Sequence, residues 1–573
     1  MPVHNKEVAR ILNEIADLLD IKGENEFRVR SYRNAARTIN GLTESISQKT
    51  ANKKEIQSLP GIGESMAGKI EEIAATGRSS QLDELREEIP ASLVELMKLE
   101  QMGPSKIKTL NRELKIESID DLKKAAEDGR VESLKGFGKK TTENILREIS
   151  EFSRKGGSKR VILHEAGEMI GPMLEYLGRE IEDVTVAGSF RRRKETVGDI
   201  DILGISGKPH KAMEHFTRYE EVERVISKGD TSSSVKLRTG LQVDLRIFKK
   251  ESFGAAKLYF TGSKAHNIGL RKIGQEMDYK INEYGVYKGN RRIAGKTEKE
   301  IYDLLGLAYV EPELREDTGE IDAARNGSLP DLITQDDIKG DLQSHTRATD
   351  GKYTLQEMAE AAQDRGYEYF AVTDHSKKVA MAKGLDEKRL AAQIREIDRL
   401  NKTMKSLRIL KSIEVDILED GSLDLPDEIL SELDIVVCAI HYNMKLPRKE
   451  QTRRIIRAIQ SPYCNILAHP TGRRIGIRDG YDFDMEEVMK EAKKNGCFLE
   501  INSHPERLDL NDHHIRQARE MGLRLAISTD AHSIDNLEYM KYGVAQARRG
   551  WLSKDDVINT RPWRDLEKLL RKH

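Results

Sequence analysis

Cysteine is nearly absent from this chain. Cys438, Cys464 and Cys497 are the only three in 573 residues, and no two form a Cys-x-x-Cys pair. That excludes a disulfide framework and cysteine-bound zinc, and points to a reducing, cytoplasmic compartment. Aromatic residues make up only 5%, and the formal net charge is −1. No global field advertises nucleic acid, so any basic surface must be local and offset elsewhere. No apolar run is long enough to span a bilayer, and no apolar signal core opens the chain, so no membrane partner is expected. What the chain has in plenty is charge: 34% of residues are Asp, Glu, Lys or Arg. That suits soluble, helix-rich modules. The length allows about three or four domains with real cores.

Residues 1 to 155 read as short helices broken by glycine turns. Three turns resemble one another: Leu59-Pro-Gly-Ile-Gly63, Met102-Gly-Pro-Ser105 and Leu134-Lys-Gly-Phe-Gly138. Each precedes a lysine-bearing helical stretch. A Gly-x-Gly turn that opens a helix exposes backbone N–H groups at the positive end of the helix dipole, which binds phosphate without reading sequence. Glycine at a helix C-cap is the plain alternative for any one turn. The Met102 turn lacks the first glycine.

The most chemical stretch is Thr196-Val-Gly-Asp-Ile-Asp-Ile-Leu203. Residues two apart on a strand share a face, so Asp199 and Asp201 point the same way. Asp244, in the strand-like Leu241-Gln-Val-Asp-Leu-Arg246, fits as a third carboxylate from a neighbouring strand. Three carboxylates suit two divalent cations that act on a phosphoryl group. Upstream, Gly188-Ser189 and Arg191-Arg192-Arg193 form a small-residue turn with cations, suited to phosphates. The segment from Glu311 to Lys339 is acidic, contains Pro312 and Pro330, lacks a clear apolar period and reads as a linker.

Beyond it, apolar strand candidates alternate with helical stretches: 369–373, 409–417, 435–440, 465–468, 498–501 and 525–528. That rhythm predicts parallel β/α units, most simply a barrel. Histidines and carboxylates recur after the strands, at His345, Asp350, Asp374, His375, Glu414, His441, His469, Asp530 and His532. Catalytic groups of β/α barrels collect at that end of the strands. Imidazole with carboxylate suits Zn²⁺, Mn²⁺ or Fe²⁺ in a multinuclear site. Arg473-Arg474, soon after His469, could meet a DNA backbone or simply face solvent.

Several of these motifs resemble known families. The glycine turns resemble helix-hairpin-helix DNA-binding motifs, with Gly61, Gly63, Gly103, Gly136 and Gly138 as the DNA-facing positions. Gly188-Ser189-Phe190-Arg191-Arg192, Gly198-Asp199-Ile200-Asp201 and Tyr259-Phe-Thr-Gly-Ser263 resemble the palm and thumb of family X DNA polymerases, the group of DNA polymerase beta. The resemblance covers residues 1 to about 315. It implies Asp199, Asp201 and Asp244 as ligands of two Mg²⁺ or Mn²⁺ ions. It places Ser189, Arg192 and Gly198 at the incoming triphosphate and Tyr259 and Phe260 at the sugar, with Gly188 and Gly262 also nucleotide-binding. Asn267 falls at the base edge and Arg271 at the template side. Polymerase beta-like members carry an arginine two residues before the third aspartate, where this chain has Gln242. The N-terminal stretch resembles the small lyase domain of that family, with Tyr32-Arg33 matching and Lys69 at the Schiff-base position. Phosphate binding is the role expected of Lys69 ahead of lyase chemistry.

The histidine-rich part resembles the polymerase and histidinol phosphatase (PHP) domain, on Asp341-Leu-Gln-Ser-His345, Thr349-Asp-Gly351, Thr373-Asp-His375, Glu414, His441, His469-Pro470 and Asp530-Ala-His532. The family's usual His-x-His is Gln343-Ser-His345 here, and an amide is the weaker ligand. The resemblance implies up to three Mn²⁺ or Zn²⁺ ions and phosphodiester hydrolysis, as 3′–5′ exonuclease trimming and cleavage at abasic sites. The expected architecture is multidomain α+β and α/β. It has helical modules over 1–85 and 86–155, a palm over 156–258 and a thumb over 259–315. A linker over 316–338 leads to a distorted barrel over 339–573. Expected partners are gapped or nicked DNA and dNTPs, with a monomer as the working unit. A nucleotidyltransferase for other acceptors, carrying a structural barrel, is the competing expectation.

Overall fold

The computed structural model describes residues 5–40, 46, 53–59, 61–89, 93, 96, 99, 102, 104–134, 136–154 and 160–570. They fall into two compact units, Met1–Lys159 and Arg160–His573, each taken by itself below.

The first unit is helical. Helix Asn5–Lys22 buries Val8, Leu12, Ile15 and Leu19, a four-three-four spacing that keeps one face apolar. Helices Glu26–Asn40 and Glu64–Thr76 add Ile39, Ile70 and Ile73 to the same core. Side-chain caps start two of the later helices. Ser79 accepts from Leu82 N–H, and Ser118 accepts from Asp121 N–H at 3.1 Å.

The second unit begins with a five-stranded sheet. Its order is Glu182–Val186, Asp199–Ile205, Gln242–Phe248, Ser232–Leu237, Val222–Lys228. The two central strands run parallel, with Asp201 opposite Asp244 and Asp199 opposite Gln242. Helices Leu163–Leu177 and Pro209–Thr217 cover the apolar face, where Ile200, Ile202, Val243 and Leu245 are buried. The opposite face is therefore free to carry the carboxylates. Helices Phe253–Thr261 and Lys264–Glu276, a three-stranded antiparallel sheet and helix Glu298–Leu304 follow.

The acidic stretch that reads as a linker is packed structure. It holds a 3-10 turn at Pro312–Leu314 and a helix at Glu320–Asn326. Arg315 and Glu320 are fully buried. Arg315 donates to Glu298 at 2.6 Å, and His266 Nδ1 meets Glu320 at 2.6 Å. Buried ion pairs alternate here with scattered apolar residues such as Leu314, Ala324 and Ile333, so no single apolar period marks it.

Seven parallel strands in chain order then form a nearly closed barrel: Gly340–Asp341, Tyr369–Val372, Arg408–Asp416, Ile435–Ala439, Ile466–Leu467, Phe498–Asn502 and Leu525–Ser528. A parallel bridge from Ser344 to Ala531 joins the two ends. Alternate residues face opposite cores. Ile435, Val437 and Ala439 point inward with Tyr369 and Leu410, whereas Val436, Cys438 and Ile440 face the surrounding helices. Burial on both faces explains why these strands read as unbroken apolar runs. The first strand, two residues long and starting on glycine, gives no such signal.

Candidate active sites

On the polar face of the five-stranded sheet the register brings Asp199, Asp201 and Asp244 together. Asp201 is pushed up to about 7, by burial first and then by Asp199 and Asp244, against the pull of Arg246 and Arg192. A carboxylate so disfavoured beside two others is stabilised by a cation, so the donor set fits divalent metal. Gln242 donates to Asp244 Oδ1 at 3.1 Å and fixes its orientation from the position where polymerase beta-like chains have arginine.

Gly188 and Ser189 open a short helix, Gly188–Arg191, rather than a free turn. Gly188 has φ +62°, and a Cβ there would lie 2.9 Å from Asp201 Oδ2. The absence of a side chain is thus what lets the loop approach the carboxylates. Arg191 donates to Glu298 at 2.8 and 2.6 Å and serves the fold. Arg192 donates to the Thr261 carbonyl, and to Glu316 Oε1 at 3.0 Å. A Cβ on Gly262 would lie 3.2 Å from Arg192 Nη1, and a Cβ on Gly198 3.2 Å from Arg160 Nη1. Tyr259 is exposed, while Phe260 lies 4.9 Å from the Arg246 guanidinium. Asn267 donates to the Tyr259 carbonyl at 2.7 Å, and Arg271 back to the Asn267 carbonyl at 3.2 Å.

The barrel gathers its ligand candidates at the ends of the strands. His345, Asp350, His375 and His532 converge in one group, and His375, Glu414 and His441 in a second that shares His375. His469 Nε2 lies 3.0 Å from Glu414 Oε1, and His345 Nε2 3.1 Å from Asp530 Oδ1. Burial disfavours the Glu414 charge, yet His375 and His441 hold its carboxyl well below the usual range. His532 is raised to about 9, since the Asp350 and Asp530 carboxylates outweigh its burial. His375 Nδ1 stands 2.9 Å from Glu414 Oε2, but neither atom has an aligned hydrogen bond among the described residues. Gln343 is fully buried with both side-chain polar atoms unpartnered, and its carbonyl accepts from Asp530 N–H at 3.1 Å. Buried, unpartnered donor atoms are costly unless something binds them, so this set also fits metal.

Three contributors escape the sequence reading. Asp416 accepts from His441 N–H at 3.1 Å, and its place two residues after Glu414 on one strand was the available signal. Asn502 donates to Asp530 at 3.0 Å, and Arg507 lies 3.4 Å from the same oxygen. Asn502 ends a strand; Arg507 sits in a loop without a pattern. Arg473 is not a free cation for DNA, because it grips Glu195 at 3.1 and 2.6 Å. Arg474 is paired with Glu506.

In the first unit, Gly61 and Gly136 have φ +76° and +94°, and Gly63 caps helix Glu64–Thr76. Among the described residues, a Cβ at Gly61, Gly63, Gly136 or Gly138 would meet nothing within 4 Å. Internal packing therefore does not demand glycine there, and the turns stay open to a close external approach. Gly103 lies outside the described residues. Lys69 Nζ contacts Tyr32 Oη and Gln81 Oε1, and lies 5.0 Å from the Tyr32 ring centroid.

A palm sheet with carboxylates on one face, in the same unit as a histidine-rich parallel barrel, defines a class: a nucleotidyltransferase core fused to a metallohydrolase-type barrel. Family models match the helical unit and the thumb. A helix-hairpin-helix domain matches residues 3–79, a SAM-like helix-hairpin-helix tandem 93–151, and the DNA polymerase beta thumb 256–316. The chain is 38% identical over 577 residues, covering 100% of both chains, to the DNA polymerase/3′–5′ exonuclease PolX of Bacillus subtilis (strain 168). A protein named probable phosphatase from Thermoanaerobacter sp. (strain X514) is 32% identical over 231 residues, 38% of this chain and 89% of its own. DNA polymerase lambda of Arabidopsis thaliana is 24% identical over 353 residues, 55% of this chain and 62% of its own. This chain belongs to the family X DNA polymerases, in the form that carries a C-terminal PHP-type barrel. Among the described residues no helix is long and apolar enough to cross a membrane.

Proposed function

We propose that the chain fills short gaps in DNA during repair and trims 3′ ends in its barrel. The observation that carries the synthetic half is the register of Asp199, Asp201 and Asp244 on one face beside the Gly188 loop. These carboxylates would hold two Mg²⁺ or Mn²⁺ ions. Bound there, such ions activate the primer hydroxyl and neutralise the leaving pyrophosphate. Ser189 and Arg192 receive the triphosphate, and Gly188 and Gly198 let the backbone come close. Tyr259 and Phe260 flank the sugar, where an aromatic ring excludes a 2′-hydroxyl by size. Asn267 stands at the base edge and Arg271 on the template side. The turns at Gly61, Gly63, Gly136 and Gly138 grip the DNA backbone, a need that a small-molecule acceptor would not create.

In the barrel, Gln343, His345, Asp350, His375, Glu414, His441, His469, Asp530 and His532 would hold up to three Mn²⁺ or Zn²⁺ ions. Asn502 and Arg507 aim Asp530, and Asp416 holds His441 in place by accepting from its backbone N–H. The test is primer extension on gapped and on blunt DNA. Extension confined to gapped or recessed substrates and abolished in Asp199→Ala supports the reading. Equal nucleotide addition to RNA or blunt ends would favour a different acceptor.

A further inference from the structure

The second unit contains an ion network that neither site explains. Arg549 closes helix Met540–Arg549 on the outside of the barrel, and its side chain is only 1% exposed. Its Nη2 is paired with Asp512 of the neighbouring barrel helix. Its Nη1 faces the palm instead. It donates to the Arg192 carbonyl at 2.8 Å and lies 3.2 Å from Glu316 Oε1. That same oxygen accepts from Arg192 Nε at 3.0 Å, with Lys194 Nζ 3.9 Å away. Three residues on, Glu195 takes Arg473, and Gln546 at 2.8 Å, from the barrel. The stretch 192–195, which follows the phosphate-loop helix, is therefore held from the barrel at both ends.

We propose that Arg549 is a positioning residue of the polymerase site: it shares Glu316 with Arg192 and so sets how readily Arg192 is released to an incoming triphosphate. The inference rests on the reading of Arg192 as a triphosphate contact. A carboxylate and a phosphate are alternative acceptors for one guanidinium, so Glu316 and the nucleotide compete for Arg192. With Arg549 in place, Glu316 keeps a cation when Arg192 leaves. Without Arg549, release of Arg192 takes the main remaining partner from a largely buried carboxylate, which is unfavourable. Arg549 thus lowers the barrier to handing Arg192 over. A barrel residue acts on the nucleotide although it does not touch it.

The two partners therefore have opposite signs. In single-nucleotide gap filling by the full chain, Arg549→Met should raise KM for dNTP about tenfold, the scale of one charged hydrogen bond. Arg549→Lys should recover part of the loss. Glu316→Gln should lower KM for dNTP, and the Glu316→Gln/Arg549→Met pair should resemble Glu316→Gln alone. Thermal unfolding followed by circular dichroism verifies folding. If Arg549→Met does not fold, Glu316→Gln still decides: an unchanged or raised KM overturns the proposal. So do additive effects in the double variant, which would mean that Arg549 acts through the backbone alone. Arg192→Ala separates the two levels. If it raises KM while the other variants do nothing, only the role of Arg549 falls. If it leaves KM unchanged, the triphosphate reading of Arg192 falls and the inference with it.

Discussion

Replacing Gly188 by alanine puts one methyl group into the tightest approach of the polymerase site. The new Cβ would stand 2.9 Å from Asp201 Oδ2 and 3.8 Å from its Cγ. The contact is too short to persist, so either the carboxylate or the loop must move. The backbone resists, because φ at Gly188 is +62° and the Ala187 N–H donates to the Asp201 carbonyl at 2.8 Å. Alanine in that left-handed conformation costs about 1–2 kcal/mol, a tolerable loss for a unit of this size. The larger consequence is geometric. A ligand displaced by about 1 Å from its productive position costs on the order of 100-fold in rate. We therefore expect Gly188→Ala to fold, to keep its barrel nuclease activity, and to lose about 100-fold in kcat for single-nucleotide gap filling. Rapid-quench insertion on gapped DNA measures the rate, and degradation of single-stranded DNA by the same preparation is the internal control. Wild-type insertion by a folded Gly188→Ala would refute both the close approach and the ligand role of Asp201.

Other consequences are as direct. Arg191 and Arg315 hold Glu298 at about 2 against an ordinary 4.5, although burial opposes them. The stability it contributes is present above about pH 4.5 and is lost as pH falls through that value towards 2. Glu298→Gln should cost about 3 kcal/mol near neutral pH and little at pH 2, read by urea unfolding; a pH-independent difference would contradict the ion network. Gln343→His should restore an imidazole to the barrel and lower the Mn²⁺ needed for half-maximal nuclease activity, while Gln343→Leu should raise it. Identical Mn²⁺ titrations would remove Gln343 from the ligand set. Lys69→Ala should weaken binding to a gap with a 5′-phosphate, and borohydride should trap no adduct on an abasic 5′-phosphate. A Lys69-dependent adduct would instead establish lyase chemistry.

Much of the architecture was legible because local rules and tertiary structure agree. Asp199 and Asp201 share a face by strand periodicity alone, and the parallel partner supplies Asp244 at the matching register. The barrel strands betray themselves as continuous apolar runs, as buried parallel strands must. The chain from 311 to 339 was not legible for the opposite reason. Its buried apolar residues, among them Leu314, Ala324, Leu332 and Ile333, are scattered without one period, and its buried Arg315 and Glu320 look solvated until Glu298 and His266 are known to face them. Arg473 was equally hard to place, since the sequence allowed a DNA contact or a solvated face, whereas Glu195 lies 278 residues away in sequence and beside it in space. Pairings of that kind depend on the tertiary fold, and no periodicity encodes them. Asp416 was within reach, because it follows Glu414 by two residues on one strand.

If one chain builds and removes DNA at two separate metal sites, one substitution in each site should abolish one activity alone. A single gel assay on gapped DNA, with and without dNTPs and with Mn²⁺ present, tests it in wild type, Asp199→Ala and Asp530→Ala. Asp199→Ala should no longer extend the primer but should still degrade it. Asp530→Ala should extend but no longer degrade. Loss of both activities in either folded variant, or of neither, would contradict it.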